Sequence, residues 1–556
     1  MLERAEIDAL FPPDLPEPEY WERRYPPRQL PEGAKVTRFG PSPTGFVHIG
    51  GVYVAMIDRA VAHATGGRYL VRVEDTDQSR LVEGALEQFD RAFEHFGISP
   101  DEGDLPTPDG GRATVGDYGP YRQSERSRIY LTYVRELLRQ GKAYLCFATK
   151  EELAEITEAQ QRAKLPTGYY GRWALWRDAS ADDVRAKLAA GVPYVVRFRA
   201  EARPGQRVRF RDVIRGELEH EANRNDVVIL KSSDQEPRLP TYHFAHAVDD
   251  HLMRVNLVIR GEEWISSVPL HLQLFEALGF EPPEYAHIAP LTKQEGGGKR
   301  KLSKRKDPEA SVDFYIEAGY PVPAVHYYLR GLANGRLAEL PMEQSLAEPI
   351  RLDELGLAGP LVDLVKLEDI SADYIATLPG REILDQVRRW AATYDQELAA
   401  VLEAEPDLAL RALAVEREGV PNPRKDLRKW SDFRPVYGFF FPQLFQLVDD
   451  PTDARFGGLA PELVRTLAAD FADHYQPLED PQEWFEQVRD LAARHGFARS
   501  TKEYKRDPDA YPGSIREAAQ VIRVALTGST RSPDMFQVAR ALGPDEVLRR
   551  VRALTA

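Results

Sequence analysis

The chain has 556 residues, and we expect several domains because a single hydrophobic core stops growing at about 250–300 residues. Its net charge of −15 argues against unspecific nucleic-acid binding, and its one cysteine, Cys146, excludes an internal disulfide or a zinc site built from cysteines. No leader peptide and no apolar run of membrane-spanning length are found, which predicts a cytoplasmic protein without a membrane partner.

Residues 1–33 are rich in proline and glutamate and precede the first regular pattern. We expect them to form an extended N-terminal addition. Its aromatic side chains, among them Tyr20 and Trp21, should pack on the body of the protein. The sequence of this segment points to no ligand and no reaction.

The first regular pattern is a strand, a tight loop and a helix. Residues 35–39 read as a strand, a run of glycine, proline, serine and threonine follows, and apolar residues at helical spacing begin after Gly50. The N-terminus of such a helix carries free N–H groups and a partial positive charge that suit phosphate. His48 can donate a hydrogen bond there, and Gly50 and Gly51 let a ligand approach the backbone. Taken alone, these residues favour an ordinary helix start with a structural histidine over a phosphate site.

A second strand is predicted at residues 69–73, where alternation places Arg72 and Glu74 on one face, and a helical pattern follows. This order indicates the first half of a doubly wound parallel sheet, whose ligands bind at the carboxyl ends of the strands. Glu74 is the functional candidate at such an end. For Asp75 and Asp77, capping of a helix is the ordinary alternative.

Residues 116–240 interrupt the sheet pattern with a helix at about 126–140, aromatic residues in turns and arginine-rich, strand-like segments. Bases stack on aromatic rings and phosphates pair with arginine, so this composition suits RNA. The alternative is a set of ordinary solvated faces, and composition alone does not decide between the two.

The segment Tyr242–His251 holds three histidines and two aspartates. On a helix, His243, His246 and Asp250 could converge as metal ligands do. No second ligand motif follows in the sequence, however, and we therefore expect no metal at this segment.

Two predicted strands end in arginine, at Arg38 and at Arg260, and both ends would lie at the ligand edge of the sheet. A guanidinium binds a carboxylate through two parallel hydrogen bonds, which a lysine cannot copy. These residues are therefore candidates for binding an acidic substrate, while a surface ion pair is the ordinary alternative for either one alone.

Residues 299–306 carry six positive side chains in eight positions and follow a run of three glycines. The glycines predict a mobile loop, and Lys301 and Lys304 place two ammonium groups on it. A P-loop is excluded because Arg300 stands where that motif needs serine or threonine. The ordinary alternative for such a charge run is a solvated face.

The loop around His48 and the basic loop around Lys304 resemble the paired HIGH and KMSKS signatures of the class I aminoacyl-tRNA synthetases. Further motifs, in the same order, resemble the bacterial glutamyl-tRNA synthetases in particular, from about residue 35 to near the C-terminus. These motifs are Arg38–Gly45, Val73–Asp77, Gly119–Arg126, Val248–His251, Val258–Trp264 and Ala525–Ser529.

The resemblance implies an α/β fold with a doubly wound parallel, Rossmann-type catalytic sheet, an α+β insertion that binds the acceptor stem, and an all-α anticodon-binding region. Amphipathic helical stretches from residue 377 onward agree with the last part. The expected segments are an N-terminal extension (1–33), two halves of the catalytic domain (34–115 and 241–296), the insertion (116–240), a stem-contact region with the basic loop (297–376) and the helical domain (377–556).

The resemblance also implies a ligase that activates L-glutamate with ATP and passes it to the 3′ terminal adenosine of tRNA-Glu, with tRNA-Gln left open as a second acceptor. It implies Mg²⁺ but no zinc, and a monomer. One alternative is a tRNA-modifying glutamyl transferase, which would resemble the catalytic half only. Another is a regulatory protein derived from a synthetase, which would have lost the nucleotide-handling residues.

By the same resemblance, the site residues fall into three groups. Those assigned to catalysis are His48, Gly50, Lys301 and Lys304. Those assigned to glutamate are Arg38, Ser42, Glu74, Tyr242, His246 and Arg260, with His246 standing where many relatives carry asparagine. Those assigned to ATP are His48, Gly50, Gly51, Glu263 and Lys304.

Overall fold

The computed structural model describes residues 2–555. The chain divides into two compact units. The first comprises the described residues up to Phe314 together with His326–Val362, and the second comprises Tyr315–Val325 and the described residues from Asp363 onward. Within residues 2–555, no helix has the length and the apolar character needed to cross a bilayer.

The strands of the described residues all lie in the first unit. They are β1 (Val36–Phe39), β2 (Arg68–Val71), β3 (Gly103–Pro106), β4 (Arg112–Val115), β5 (Ala143–Cys146), β6 (Val195–Phe198), β7 (Arg207–Asp212), β8 (Gly216–Glu221), β9 (Val228–Leu230), β10 (Leu257–Gly261), β11 (Glu284–Ile288), β12 (Thr292–Glu295) and β13 (Gly298–Lys301). Strands β5, β6 and β9 form an antiparallel sheet, whereas β3 with β4, β7 with β8, and β12 with β13 pair as antiparallel neighbours.

The α-helices before residue 363 are α1 (Arg4–Asp8), α2 (Pro18–Arg24), α3 (Ile49–Ala64), α4 (Ala85–His95), α5 (Ser127–Arg139), α6 (Lys150–Arg162), α7 (Ala181–Ala189), α8 (Tyr242–Leu252), α9 (Val268–Leu278), α10 (Val312–Ala318), α11 (Val322–Ala333), α12 (Gly335–Glu339) and α13 (Met342–Ala347). The later helices are α14 (Leu364–Thr377), α15 (Gly380–Tyr394), α16 (Gln396–Ala404), α17 (Pro406–Ala414), α18 (Phe433–Tyr437), α19 (Pro461–His474), α20 (Pro481–Arg494), α21 (Thr501–Arg506), α22 (Ile515–Thr527), α23 (Met535–Leu542) and α24 (Pro544–Ala553). No strand occurs among the described residues from Asp363 onward, which confirms the expected all-α C-terminal region.

Four parallel strands build the sheet on which the candidate site lies. Strand β1 pairs with β2, with Val36 opposite Arg68, and β10 pairs with β11, with Leu257 opposite Glu284. The backbone N–H of Asn256 donates to the carbonyl oxygen of Val36 at 3.2 Å, which places β10 beside β1. The carboxyl ends of these strands therefore meet at one edge, and the expected parallel, Rossmann-type sheet is confirmed.

Helix α3 begins directly beyond this edge because of its local sequence. His48 is the N-cap, with an extended backbone and a ring Nδ1 that accepts a hydrogen bond from the backbone N–H of Gly50 at 2.8 Å. Apolar residues at helical spacing, beginning with Val52, are buried. After the helix, a Cβ at Gly67 would lie only 1.8 Å from the carbonyl oxygen of Lys35. Glycine is therefore needed where the chain turns back into β2.

The N-terminal segment packs along α5 and α8. It is not fully extended as expected, because Pro18 starts α2 and a reciprocal side-chain cap at Glu3 starts α1. The indole N–H of Trp21 donates to Oγ1 of Thr132 at 3.0 Å, as expected for a packed aromatic residue. Tyr20, in contrast, remains largely exposed.

Helix α20 provides a stability test within the second unit. The carboxylate of Asp480 accepts hydrogen bonds from the backbone N–H groups of Gln482, at 2.8 Å, and Glu483, at 2.9 Å. We expect Asp480→Ala to lower the free energy of unfolding by about 1 kcal/mol, because the helix loses its side-chain cap. Urea unfolding measures the effect. Asp473→Ala, which removes an exposed carboxylate elsewhere, is the control, and equal losses in the two variants would contradict the prediction.

A candidate active site at the edge of the parallel sheet

The two loops that stand out in the sequence lie against each other. Strands β12 and β13 form a hairpin that ends at Lys301, and the carbonyl oxygen of the next residue, Leu302, lies 3.3 Å from Nε2 of His48. Because Nδ1 of this ring accepts from Gly50, the ring proton sits on Nε2, which donates to Leu302. Burial, with the nearby charges of Lys304 and Lys301, lowers the pKa of His48. The ring is therefore neutral at pH 7.

A cavity of about 340 Å³ opens between these two loops and the ends of β10 and β11. The N-terminus of α3 forms one side of it, and the helix dipole favours a phosphate there, while the backbone N–H groups of Gly50 and Gly51 both donate to His48 in this structure. Five residues predicted from the sequence line this cavity: His48, Gly50, Gly51, Glu263 and Lys301. The structure thus brings together positions that are more than 200 residues apart in the chain.

The two lysines of the basic loop differ in their partners. Nζ of Lys301 lies 2.8 Å from Oε1 of Glu263, so these two lining residues form an ion pair. Lys304 has no hydrogen-bond or ion-pair partner among residues 2–555, and partial burial lowers its pKa. It is close enough to His48 to influence the charge of that ring. An unpaired ammonium beside the cavity is available for a further negative charge.

Asp307 holds the basic loop in its observed conformation. Its carboxylate accepts two hydrogen bonds from Arg300, at 2.6 and 2.7 Å, and one from the backbone N–H of Ser303 at 2.9 Å. The hydrogen bonds from Arg300 hold the pKa of Asp307 well below its usual range. Arg300 therefore stabilises the loop itself and is not available for a ligand.

Arg38, at the end of β1, is buried but its donors are not satisfied. Its Nε lies 3.6 Å from Oδ1 of Asp250 and has no hydrogen-bond partner among the described residues. Buried polar groups in folded proteins nearly always have such a partner. This guanidinium is therefore prepared to bind a group that the protein itself does not supply.

Arg260 is also buried, at the end of β10. Its guanidinium contacts two histidine rings and the hydroxyl group of Tyr242. Within residues 2–555, no carboxylate lies at ion-pair distance from it. An arginine buried without a counter-charge is costly, and a bound carboxylate would remove that cost.

A buried ion network that was not predicted from the sequence lies behind these arginines. Nη1 of Arg72 donates to Oδ1 of Asp250 at 2.5 Å, and Nη2 donates to Oε1 of Glu74 at 3.0 Å. Burial alone would raise the pKa of Asp250, but the charge of Arg72 holds it well below its usual value. Nδ1 of His246 lies 2.8 Å from Oδ2 of Asp250, and burial lowers the pKa of His246 to about 4.

Glu74 is placed as predicted, at the carboxyl end of the second parallel strand. Burial raises its pKa, and Arg72 orients its carboxylate. A Cβ on Gly40 would lie 2.5 Å from Oε1 of Glu74, so the carboxylate occupies space that only a glycine leaves free. Tyr242, Arg38 and Glu74 are near enough to influence one another's pKa, so they lie in one neighbourhood at the sheet edge.

Three further polar residues of this region, Ser42, Asp75 and Asp77, also stand out in the sequence. Ser42 lies on the exposed face of its loop, and no side-chain hydrogen bond links it to the pocket among the described residues. Asp75 does not cap a helix but accepts hydrogen bonds from the backbone N–H and the hydroxyl group of Ser124, at 2.8 and 2.6 Å. Asp77 precedes a short 3₁₀ turn without bonding its backbone, and instead accepts from Ser79 and Arg80. The capping alternative is wrong for both aspartates.

The histidine- and aspartate-rich segment forms α8, and its acidic residues are used in ion pairs. Asp249 accepts from Nε of Arg126 at 2.6 Å and from the hydroxyl group of Tyr130 at 2.7 Å, while Asp250 pairs with Arg72. These contacts also tie α5 to the helix that carries Tyr242 and His246. No group of three or more histidine, cysteine, aspartate or glutamate residues arranged for a metal is found in residues 2–555.

Comparison with known proteins agrees with this geometry. Residues 35–358 match the family model for the catalytic domain of class I tRNA synthetases (E and Q), and residues 513–555 match an anticodon-binding domain. A glutamate–tRNA ligase of Clostridium beijerinckii is 40% identical over 541 residues, covering 96% of each chain. One from Acetivibrio thermocellus is 38% identical and covers 98% of each chain.

Among solved structures, a glutamate–tRNA ligase from Elizabethkingia meningosepticum in complex with its amino acid is similar in fold. Its TM-score is 0.73 at 27% sequence identity, and the match covers 94% of this chain and 99% of the other. A glutamate–tRNA synthetase from Elizabethkingia anophelis gives a TM-score of 0.72 at 28% identity. The similarity therefore spans both compact units.

Proposed function

Because this chain belongs to the glutamate–tRNA ligases of the class I tRNA synthetases, we propose a role for each residue of its site in the reaction of that family. The enzyme uses ATP to activate glutamate and then transfers the glutamyl group to tRNA. The full-length similarity disfavours a glutamyl transferase that resembles the catalytic half only.

Activation requires the α-carboxylate of glutamate to attack the α-phosphorus of ATP. A phosphorus–oxygen bond forms to the carboxylate, and the bond to pyrophosphate breaks. No side chain needs to act as a nucleophile, so the protein contributes positioning and charge stabilisation. The terminal adenosine hydroxyl of the tRNA then attacks the acyl-adenylate, and AMP leaves.

One observation carries the proposal: two buried arginines lie at the sheet edge that also holds the phosphate-directed cavity, Arg38 with an Nε that has no hydrogen-bond partner and Arg260 without a carboxylate partner among the described residues. We assign Arg38 and Arg260 to the carboxylates of glutamate, since a guanidinium binds a carboxylate bidentately. Glu74 is assigned to the amino group, and Tyr242 to one wall of the pocket. His246, whose ring stacks on that of Tyr242, is assigned to the same wall, and Ser42 remains a proposed contact.

For ATP, the N-terminus of α3 and His48 are assigned to phosphate, with Gly50 and Gly51 allowing close approach. Nε2 of His48 would exchange the carbonyl oxygen of Leu302, its acceptor in this structure, for a phosphate oxygen. Lys301 would exchange its partner Glu263 for the triphosphate, which frees Glu263 for the ribose. Lys304 would move onto the phosphates as negative charge develops on them in the transition state. Among the described residues that line the cavity, Glu263 is the single carboxylate. A single carboxylate fits a Mg²⁺ that is held mainly by phosphate oxygens and water. When bound, the ion would offset the negative charge of the triphosphate.

The regions that contact the tRNA, the identity of the tRNA and the state of the enzyme in the cell are also proposed. We assign the acceptor stem to the segment 116–240, whose arginines and aromatic residues suit RNA, and the anticodon to the helical second unit. tRNA-Glu is the expected acceptor, and tRNA-Gln is left open as a second one. A monomeric, cytoplasmic enzyme is expected from the family.

Pyrophosphate exchange into ATP tests this assignment. With Mg²⁺ and tRNA-Glu present, glutamate should support exchange far better than glutamine, because the pocket holds a guanidinium placed for a side-chain carboxylate. Equal exchange with glutamine would contradict the assignment of the arginines. Omitting the tRNA shows whether activation requires it.

Gly40→Ala tests the placement of Glu74. The added methyl group would displace the carboxylate, so we expect the KM for glutamate to rise by about tenfold, equivalent to about 1.4 kcal/mol of lost binding. The KM for ATP should change little. Gly335→Ala, where a Cβ meets no atom within 4 Å, is the matched control. An unchanged glutamate KM in Gly40→Ala would remove Glu74 from the pocket.

A further inference from the structure

The Arg260 guanidinium is surrounded by lone pairs rather than by charges. Its Nε lies 3.1 Å from Nε2 of His287, its Nη2 lies 3.2 Å from Nδ1 of His271, and its Nη1 lies 3.4 Å from the hydroxyl group of Tyr242. Arginine has only donors, so each facing atom must act as an acceptor. The two ring nitrogens therefore carry no proton.

This requirement fixes the proton on the other nitrogen of each ring. In His287 the proton sits on Nδ1, which donates to Oδ2 of Asp212 at 2.6 Å. Asp212 is itself held at the end of β7, because its Oδ1 accepts from the backbone N–H groups of Ile214 and Arg215 at 3.0 and 2.9 Å. Burial lowers the pKa of His287, in keeping with a neutral ring.

His271 is fixed in the same way from the opposite side. Its Nδ1 accepts from Arg260, so its Nε2 donates to Nδ1 of His243 at 2.9 Å. Burial lowers the pKa of His243 to about 4 and that of His271 well below its usual value. The guanidinium is thus held by two neutral rings from two different elements, α9 and β11.

Three of the five N–H groups of Arg260 are taken up by these contacts, which leaves one on Nη1 and one on Nη2. The ring of Tyr285 lies 4.9 Å from the guanidinium carbon and that of Trp264 lies 5.8 Å from it, so aromatic faces pack beside the charge. The protein orients this cation firmly and leaves its charge uncompensated.

We propose that His271 and His287, fixed by His243 and Asp212, form a histidine cage that positions Arg260 and makes the site select a carboxylate side chain over an amide. This proposal rests on the assignment of Arg260 to glutamate. An acidic neighbour would hold the guanidinium equally well but would neutralise it, and a neutral amide could then compete. Neutral acceptors fix the orientation while the full positive charge remains directed at the substrate.

The test compares His287→Leu with His287→Gln in pyrophosphate exchange, with glutamate or glutamine as the amino acid. In His287→Leu, Nε of Arg260 loses its acceptor, and we expect the glutamate KM to rise by about tenfold. The preference for glutamate over glutamine should fall by a similar factor, with kcat and the KM for ATP within about twofold of the parent values. In His287→Gln, the amide oxygen can accept from Nε, so most of the preference should return.

Asp212→Asn gives an independent arm if His287→Leu does not fold. An amide N–H directed at Nδ1 would move the ring proton to Nε2, against the N–H of Arg260, and the glutamate preference should again fall. His326→Leu is the control, because it removes a histidine bonded to the carbonyl oxygen of Phe96 instead. It should leave the glutamate KM unchanged.

The outcomes separate the cage from the function assigned to Arg260. If Arg260→Ala leaves the glutamate KM unchanged, the proposed function of that residue fails, and the cage with it. If Arg260→Ala raises the KM but His287→Leu and Asp212→Asn leave both the KM and the glutamate preference unchanged, only the cage is overturned. Failure of His287→Gln to regain glutamate preference would also count against it.

Discussion

Replacing Arg260 with alanine is expected to lower kcat/KM for glutamate by a factor of about 100 to 1,000, or about 3–4 kcal/mol. The side chain is buried at the end of β10 and has no carboxylate partner among the described residues. Its loss would leave a substrate carboxylate desolvated and unpaired. Most of the effect should therefore appear in the KM for glutamate, while the KM for ATP changes little. Steady-state pyrophosphate exchange, with the concentrations of glutamate and ATP varied in turn, measures the KM for each substrate.

Arg91→Ala is the matched control for this prediction. Arg91 is an exposed arginine that pairs with Asp313 at 2.9 Å, and such surface pairs contribute little. We expect less than about a twofold change in either KM. Unchanged glutamate kinetics in Arg260→Ala, or an equal loss for glutamate and ATP, would contradict the assignment.

Replacing Lys304 with alanine is expected to slow adenylate formation by a factor of about 100 to 1,000, with only a modest change in glutamate binding. Lys304 lacks a partner among residues 2–555, and partial burial lowers its pKa. Its ammonium is therefore free to meet charge that develops on the phosphates. An interaction that strengthens only in the transition state affects kcat rather than KM. Rapid-quench measurement of the adenylate gives this rate directly.

Lys306→Ala tests whether the effect belongs to Lys304 or to the charge of the loop as a whole. Lys306 lies on the same loop, is exposed, and is 3.6 Å from Glu295. Its removal should change the rate of adenylate formation by less than about threefold. Similar losses in the two variants would indicate a general electrostatic effect and would contradict a specific role for Lys304.

Much of the fold could be predicted from local sequence patterns. The strand, loop and helix around His48 were predictable because an alternating stretch, a turn-forming run and helical spacing follow one another within about 30 residues. The amphipathic stretches after residue 377 likewise predict helices. Five of the residues assigned to the ATP site or to catalysis line one cavity, although the sequence places them in three separate motifs.

The pairing of charged side chains could not be predicted in this way. Arg72 and Asp250 are 178 positions apart and meet only because β2 and α8 are packed in the same unit. Local patterns left helix capping open for Asp75 and could not identify the partners of the aspartates in α8, because they do not reveal a distant serine or arginine. The role of Asp307 was also not predicted, although Arg300 is only seven positions away, because a run of positive charges does not show which of its members bonds back to the loop.

Aminoacylation tests the central claim most directly. Purified protein, ATP and Mg²⁺ would be combined with glutamate and, in separate reactions, with tRNA-Glu or tRNA-Gln transcripts. The proposed site predicts charging of tRNA-Glu with glutamate, strongly reduced in Arg260→Ala and Lys304→Ala, and no charging with glutamine. Charging of tRNA-Gln as well would identify a second acceptor. Failure to charge either RNA, when a reference synthetase charges both, would contradict the assignment of this site to glutamate transfer.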